Sequence, residues 1–129
     1  MENTKKMGIW MDYMSAHLIE FLPLRVDAIV IKSNISNPAK KRKAIVNEEL
    51  EYIKERELID IFYKKIANEI LKYGKVILFG PTKAKTELMD MLETDQKFEG
   101  IKIETEDSEK MNENHKHAFV KNYFSQKIS

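Results

Sequence analysis

The stretch from Arg56 to Lys83 reads RELIDIFYKKIANEILKYGKVILFGPTK, and it decides the fold of this chain. Apolar residues recur at spacings of three and four along its first half, which predicts an amphipathic helix that starts near Glu48. Tyr73-Gly74 is expected to end this helix. The unbroken apolar run from Val76 to Phe79 then predicts a strand that is covered on both faces and paired in parallel with another strand. The predicted class is therefore α/β.

Upstream of this stretch, two short apolar runs, Gly8 to Asp12 and His17 to Phe21, are separated by four residues, which predicts a β-hairpin. β-branched residues from Ala28 to Ile31 predict a third strand, so the chain begins with an antiparallel meander. The long helix should then make a right-handed crossover to a strand parallel to the first one. This order is that of ribonuclease-H-like sheets. We therefore predict a single three-layer α/β domain, in which helices cover both faces of a mixed sheet.

Downstream, Gly80-Pro81 ends the buried strand, and Thr82 is a candidate N-cap for a helix from Lys83 to about Glu93. Ile101 to Thr105 alternates apolar and polar residues, as expected of a half-buried strand at a sheet edge. Asn112 is a candidate cap for the final helix. The residues expected on the buried sides of the three helices are Leu58, Ile59, Phe62, Ile66, Ile70, Leu88, Met91, Leu92, Met111, Ala118, Phe119 and Tyr123.

Length and composition fit one domain, residues 1–129, with a single core. Residues 1–6 and 125–129 are expected to fray. The chain has no cysteine, which excludes disulfides, thiolate metal sites and thiol nucleophiles and fits a reducing compartment. No apolar run approaches the roughly 20 residues of a membrane-spanning helix. We expect a cytoplasmic protein with no membrane partner.

A basic run lies in the long loop predicted from residue 34 to residue 47. The formal net charge of the chain is only +1, so the local charge matters more than the total. Basic side chains without aromatic neighbours can neutralise phosphates but do not stack on bases. A solvated loop without a ligand explains the run about as well. The candidate nucleic-acid contacts are Lys32, Lys40, Lys41, Arg42 and Lys43.

A second candidate site lies where the buried strand meets the next helix. Helix N-termini at the carboxyl ends of strands attract anions, because their N–H groups are unpaired. Thr82, Lys83 and Lys85 would form this anion site. The segment lacks the glycine spacing of phosphate-binding loops, so an ordinary strand-to-helix turn is the favoured interpretation.

The three histidines do not predict a metal site. His115 and His117 are two residues apart, which places them on different sides of a helix. His17 lies on a strand that is distant in sequence. We therefore predict neither a metal site nor a cofactor.

Acidic residues raise the hypothesis of a metal-dependent nuclease. In a ribonuclease-H-like sheet, Asp12 and either Glu55 or Asp60 could mimic two metal-binding acids. A third acid should stand near the end of the buried strand, where the chain has Gly80-Pro81 instead. Surface solvation explains these acids more simply, so no catalytic residue is predicted.

Three segments together resemble a known family: YKKIANEI (Tyr63 to Ile70), ILFGPTKAKTEL (Ile77 to Leu88) and EKMNENHKHAFVKNYF (Glu109 to Phe124). They are similar to bacterial proteins of the translational-machinery-component type and to the middle domain of archaeal and eukaryotic peptide-chain release factors and of Pelota. The likeness extends from Met7 to Phe124. It implies a ribonuclease-H-like fold and an association with the ribosome.

In release factors, the loop between the third strand and the long helix carries a Gly-Gly-Gln tripeptide. The loop from residue 34 to residue 47 has neither glycine nor glutamine. The resemblance therefore implies no peptide release by that mechanism, and it points to Pelota-like proteins, whose middle domain contacts the ribosome without hydrolysis. His115 stands where the family pattern would have glutamine.

The leading hypothesis is a non-enzymatic protein, without a cofactor, that contacts the ribosome or RNA through its basic loop. The alternative is a protein-interaction module, for example a homodimer that forms through the edge strand from Ile101 to Thr105. The third hypothesis is the nuclease that uses Asp12, which is weaker because an acid is missing.

Overall fold

The computed structural model of the chain describes residues 4–22, 26–34 and 48–126. Within these ranges the backbone forms five strands and three α-helices. A short 3-10 turn, Gln96–Phe98, precedes the last strand. In chain order the elements are β1 (Lys6–Met11), β2 (Ser15–Phe21), β3 (Val26–Lys32), α1 (Glu48–Ile70), β4 (Lys75–Gly80), α2 (Ala84–Glu93), β5 (Lys102–Asp107) and α3 (Glu113–Gln126).

The five strands form one mixed sheet in the order β3-β2-β1-β4-β5. β1 pairs with β2, and β2 with β3, in antiparallel orientation. β4 pairs in parallel with β1 on one side and with β5 on the other. Three predictions are thereby confirmed: the N-terminal meander, the parallel pairing of the buried strand with the first strand, and the edge position of the last strand.

Helices cover both faces of the sheet. On one face, α1 and α2 enclose a core that includes Ile9 and Leu78. On the other face, α3 encloses a smaller core that includes Ile77 and Phe79. Because successive strand residues point to opposite faces, the run from Val76 to Phe79 is buried in both cores. The protein is a small α/β domain, as predicted.

The buried side of α1 is wider than the predicted stripe. Phe62, Ile66 and Ile70 are buried as expected, but Tyr63 and Ala67 are buried as well. The reason is that α1 contacts two elements, because the Tyr63 hydroxyl reaches a side chain of α2 in addition to the sheet below. A single stripe of apolar residues is expected where a helix packs against one surface, so the predicted stripe is too narrow for a helix that packs against two.

The buried side of α3 differs from the prediction. Ala118, expected in the core, is exposed, whereas Val120 and Phe124 are buried. Phe119 is half-buried and stacks on Phe79 with ring centroids 4.1 Å apart. The helix is rotated in this way because Gly8 of β1 has no side chain and Val120 occupies the space above it.

The described elements extend close to both termini. β1 begins at Lys6, and α3 continues to Gln126. Residues 1–3, 127–129 and 35–47 lie outside the described residues. The length of the basic loop and the fraying of the extreme termini therefore stay predictions.

We expect Gly8→Ala to destabilise the protein by about 1–3 kcal/mol, because the added methyl group would overpack its contact with Val120. Gly100→Ala is the control, since no atom lies within 4 Å of the position its Cβ would take. The control should change the free energy of unfolding by less than about 0.5 kcal/mol. Urea denaturation followed by Trp10 fluorescence measures both variants. Equal stability of the two would contradict the proposed close contact.

Candidate functional site

The predicted nucleic-acid contacts begin at the end of β3. Lys32 is the last residue of this strand, is exposed, and lies opposite Ser15 in the sheet register. Asn34 has a left-handed backbone conformation (φ 62°), which asparagine tolerates better than most residues. β3 thus ends at the end of the sheet where β1 and β4 terminate. The other candidate contacts, Lys40, Lys41, Arg42 and Lys43, lie outside the described residues.

The carboxyl ends of β1, β4 and β5 meet at this end of the sheet. Gly80, the last residue of β4, has a φ of +148°, a conformation that favours glycine. A Cβ at this position would also clash with the carbonyl oxygen of Met11. The Gly80 carbonyl accepts a hydrogen bond from Ser108 N over 3.1 Å. Glycine is required here because its φ is positive and because the end of β4 lies so close to Met11 of β1.

The candidate anion site lies just beyond Gly80. Thr82 Oγ1 accepts a hydrogen bond from Ala84 N (3.2 Å). The helix α2 begins at Ala84, one residue later than predicted, so Lys83 occupies the N-cap position without a side-chain capping bond and the prediction of Thr82 as the cap is wrong. Lys85 is buried, with only 4% of its surface exposed, and its Nζ donates to the Thr82 carbonyl over 2.7 Å. The same Nζ lies 2.7 Å from Asp107 Oδ1. Lys85 therefore ties α2 to β5, and Lys83 is the exposed cation of the set. Anion binding by Thr82, Lys83 and Lys85 stays a prediction.

The acids of the nuclease hypothesis are not assembled into a metal site. Asp12 Oδ1 accepts hydrogen bonds from Met14 N (2.8 Å) and Ser15 N (2.9 Å), so this carboxylate forms the turn between β1 and β2. Asp60 lies 3.6 Å from Arg56 on α1. Across residues 4–22, 26–34 and 48–126, no group of three His, Asp or Glu side chains could hold a metal ion.

Asn112 and the two neighbouring histidines define the start of α3. Asn112 Oδ1 accepts a hydrogen bond from His115 N over 2.8 Å, which confirms Asn112 as a cap. His115 is exposed, and His117 is half-buried. Neither ring lies in the same cluster as His17, which belongs to β2.

A cluster that the sequence did not predict lies beneath the first turn of α3. The Lys116 side chain is buried, and its Nζ lies 3.8 Å from the centre of the Trp10 ring, a cation–π contact. His17 packs edge-to-face against the same ring, with centroids 5.5 Å apart. Glu113 accepts a hydrogen bond from Lys116 Nζ over 3.2 Å, and its Oε1 lies 3.1 Å from His17 Nδ1. These contacts anchor α3 to β1 and β2.

The charges of this cluster favour an ionised Glu113. Burial acts to raise the pKa of Glu113, but the hydrogen bond from Lys116 and the nearby His17 outweigh it, so the pKa is below its ordinary value. In the described part of the chain, Trp10 Nε1 is buried without a hydrogen-bond partner, and His17 Nδ1 is buried with Glu113 Oε1 as its neighbour at 3.1 Å. The cluster stabilises the fold by joining α3 to the sheet.

A second unpredicted cluster joins the β1–β2 turn, α1 and α2. Glu87 of α2 accepts hydrogen bonds from Tyr63 (2.8 Å to Oε1) and Tyr13 (3.1 Å to Oε2). Arg56 lies 3.5 Å from the same carboxylate. Burial and then the bond to Glu87 raise the pKa of both tyrosines above the ordinary value. Tyr13 and Glu87 are 74 residues apart, so no local sequence signal could have revealed this cluster.

Comparisons with known proteins give a structural likeness but no sequence match. No protein-family model and no curated protein matches the chain. The Pelota protein of Thermoplasma acidophilum aligns with 98% of the chain at a TM-score of 0.60 and 14% identity. Pelota of Archaeoglobus fulgidus aligns with 98% at 0.61 and 13%. An archaeal translation termination factor, aRF1, aligns with 96% at 0.50 and 11%.

These alignments concern one part of larger proteins. The chain covers 35% and 33% of the two Pelota chains and 40% of the termination factor. It therefore spans little more than a third of their length. At such low identity the likeness shows the fold, a domain like one found in Pelota and aRF1. In the described part of the chain, no helix combines the length and apolar character of a membrane-spanning segment.

We expect Tyr63→Phe to lower the free energy of unfolding by about 1–2 kcal/mol at neutral pH, because it removes a buried hydrogen bond to a carboxylate. Tyr13→Phe is the matched control and should cost less, since its bond to Glu87 is longer and Tyr13 is less buried. Urea denaturation measures both. A larger loss for Tyr13→Phe would contradict this ranking.

The same pair of variants tests a pH dependence. A tyrosine whose pKa is higher in the folded protein than in the unfolded chain contributes stability below the unfolded pKa, about 10, and loses it as the pH rises further. The wild-type protein should lose stability above about pH 10, and Tyr63→Phe should make this slope shallower. Denaturation curves of the wild-type protein and of Tyr63→Phe between pH 8 and pH 11, roughly a window around that pKa, give the slope of the free energy of unfolding against pH. Equal slopes for the two proteins would contradict the raised pKa of Tyr63.

Proposed function

We propose that this protein is a non-enzymatic cytoplasmic protein that associates with the ribosome or with RNA. The observation that carries the proposal is the alignment of nearly the whole chain with part of Pelota and of an archaeal translation termination factor, aRF1. The strand order β3-β2-β1-β4-β5 also supports the finer assignment of a ribonuclease-H-like fold. Fold likeness alone is a weak guide to activity, so the contact surface needs its own argument.

The proposed contact is the phosphate backbone of ribosomal RNA, bound by Lys32 and the basic run that follows it. Lys32 is exposed at the sheet end from which this loop departs. Lys40, Lys41, Arg42 and Lys43 add four consecutive positive charges without an intervening acid. Such a run can contact phosphates by charge alone. Peptide release is not part of the proposal, because residues 34–47 include neither glycine nor glutamine.

Co-sedimentation with ribosomes in a salt series tests this proposal. The wild-type protein should pellet with ribosomes at low salt and dissociate as the salt concentration rises. Replacement of Lys40, Lys41, Arg42 and Lys43 by Ala should reduce the slope of log affinity against log salt by about three to four, or roughly 0.7–0.9 for each lost phosphate contact. The charge-matched control replaces four exposed lysines on the helices, namely Lys54, Lys64, Lys65 and Lys121.

Two results would remove the basic loop from the proposal. One is unchanged binding of the loop variant, and the other is an equal loss in the control variant. Absence of binding at low salt would remove ribosome association itself.

A protein-interaction module is the second candidate function, and one observation favours it. Ile29 and Val30 of β3 are 52% and 51% exposed, and they point to opposite faces of an edge strand. β5, at the other edge, presents Lys102, Glu104 and Glu106, and charges of this kind oppose pairing with another strand. A homodimer is therefore better supported at β3 than at the predicted strand from Ile101 to Thr105. Two copies of β3 would pair in antiparallel orientation about a twofold axis.

Sedimentation equilibrium over a range of protein concentrations tests this dimer. We expect concentration-dependent association that Val30→Lys abolishes, because a charge at the centre of the paired edge would be buried without a partner. Thr105→Lys on β5 is the matched control and should leave association unchanged. A monomeric mass of the wild-type protein at the highest concentration, or loss of association in the control alone, would contradict the dimer at β3.

A further inference from the structure

Three lysines stand side by side across the sheet at the end opposite Lys32. Lys6, Lys75 and Lys102 are direct register partners on the parallel strands β1, β4 and β5. Neighbouring strands lie about 4.8 Å apart, so this lysine row is about 10 Å long. It is a third basic feature of the chain, separate from the basic loop and from the candidate anion site.

All three side chains of the lysine row point to the face that α3 covers. Residues two positions further along β1 and β4, Gly8 and Ile77, contact or enclose the core beneath α3. Alternation along a strand places Lys6 and Lys75 on that same face. The row borders one shallow depression beside the last turns of α3, lined by Lys6, Lys75, Val76, Lys102, Glu104, Tyr123 and Phe124.

Among the described residues, the positive charge of the lysine row is only partly compensated. The acidic residue of this part of the chain that lines the depression is Glu104, whose Oε1 lies 3.8 Å from Lys102 Nζ. Its other oxygen accepts a hydrogen bond from the Tyr123 hydroxyl over 2.6 Å. The carboxyl end of α3 adds roughly half a negative charge. Within residues 4–22, 26–34 and 48–126, these two negative charges balance about half of the charge of the three lysines.

This arrangement opposes folding instead of assisting it. Like charges at directly paired positions of a sheet are destabilising. Lys75 and Lys102 are exposed, and Lys6 is half-buried with its Nζ 5.9 Å from the centre of the Phe21 ring. By contrast, the buried Lys85 and Lys116 both lie within hydrogen-bond distance of a carboxylate. The lysine row is therefore better explained by an external anion than by the stability of the fold.

The shape of the depression limits the kind of anion. Its volume is about 30 Å³, enough for one or two water molecules and too little to enclose a nucleotide. A ligand must therefore lie across the surface. The phosphates of a nucleic-acid strand form a regular row of negative charges, so a lysine row of about 10 Å can face more than one of them.

We propose that the lysine row, Lys6, Lys75 and Lys102, binds the phosphate backbone of double-helical RNA. It would be a second RNA contact, at the opposite end of the sheet from Lys32. The inference rests on the proposed function only in taking RNA as the polyanion. The test of the lysine row uses purified RNA, so a failure of this inference is distinguishable from a failure of the protein to bind ribosomes.

The test measures binding of a fluorescent RNA duplex by anisotropy over a salt series. The variant K6Q/K75Q/K102Q removes the row, and K54Q/K64Q/K65Q removes three exposed lysines of α1 as a charge-matched control. We expect the row variant to lower the salt slope of the affinity by about two to three. The control should lower it by less than about one. The single variant Lys75→Gln, expected to lower the slope by about one, replaces the triple variant if that protein does not fold.

Equal slopes for the row variant and the control would overturn the proposal, as would absence of RNA binding at low salt. Inorganic tripolyphosphate is the second probe. If tripolyphosphate binds through the lysine row and RNA does not bind, the row is a site for a small phosphorylated ligand, and the proposal of RNA-backbone binding is wrong.

Urea denaturation gives an independent readout: Lys75→Gln should raise the midpoint at low salt, and this rise should shrink at high salt. A lowered midpoint would show that the row stabilises the fold and would also overturn the proposal.

Discussion

The position of β1 between β2 and β4 is the constraint on which the rest of the structure depends. β1 is buried on both faces, so helices must cover the sheet on both sides. Two close approaches to this strand exclude a Cβ atom. Gly8 leaves room for Val120 of α3, and Gly80 brings the end of β4 against the carbonyl of Met11. The layer formed by α3 and the turn into α2 are both positioned by these glycines.

Charges that hold the fold together can be distinguished from charges that face outward. Lys85 and Lys116 are buried, and each binds a carboxylate at the surface while its stem packs inside. They connect α2 to β5 and α3 to β1. The lysine row and Lys32 lie at opposite ends of the sheet, and Lys32, Lys75 and Lys102 are exposed. A phosphate-bearing partner could therefore contact both ends of the domain without disturbing its core.

Local patterns in the sequence identified the elements well but identified their contacts less well. The periodic residues of α1 and the apolar run of β4 are sufficient to identify the helix and the strand, because burial imposes a repeat of about 3.6 residues on a helix and of two on a strand. Ala118 was assigned to the core wrongly, because the rotation of α3 depends on Gly8, which is distant in sequence. The bond from Tyr63 to Glu87 was missed for the same reason, since it links two helices. Asp12 and Lys85 were candidates for metal and anion binding in the sequence. In the structure, Asp12 accepts a hydrogen bond within the β1–β2 turn, and Lys85 pairs with Asp107.

The sequence by itself determined the α/β class, the cap at Asn112 and the presence of a basic run, because each depends on residues close together along the chain. The order of the strands followed from the handedness of the crossover between the first strand and the buried strand. Only the tertiary structure decided which cations are neighbours. Lys6, Lys75 and Lys102 are separated by many residues and have no common motif. Parallel pairing of β1, β4 and β5 places them in one row, since the register of a sheet aligns residues without regard to their distance in sequence.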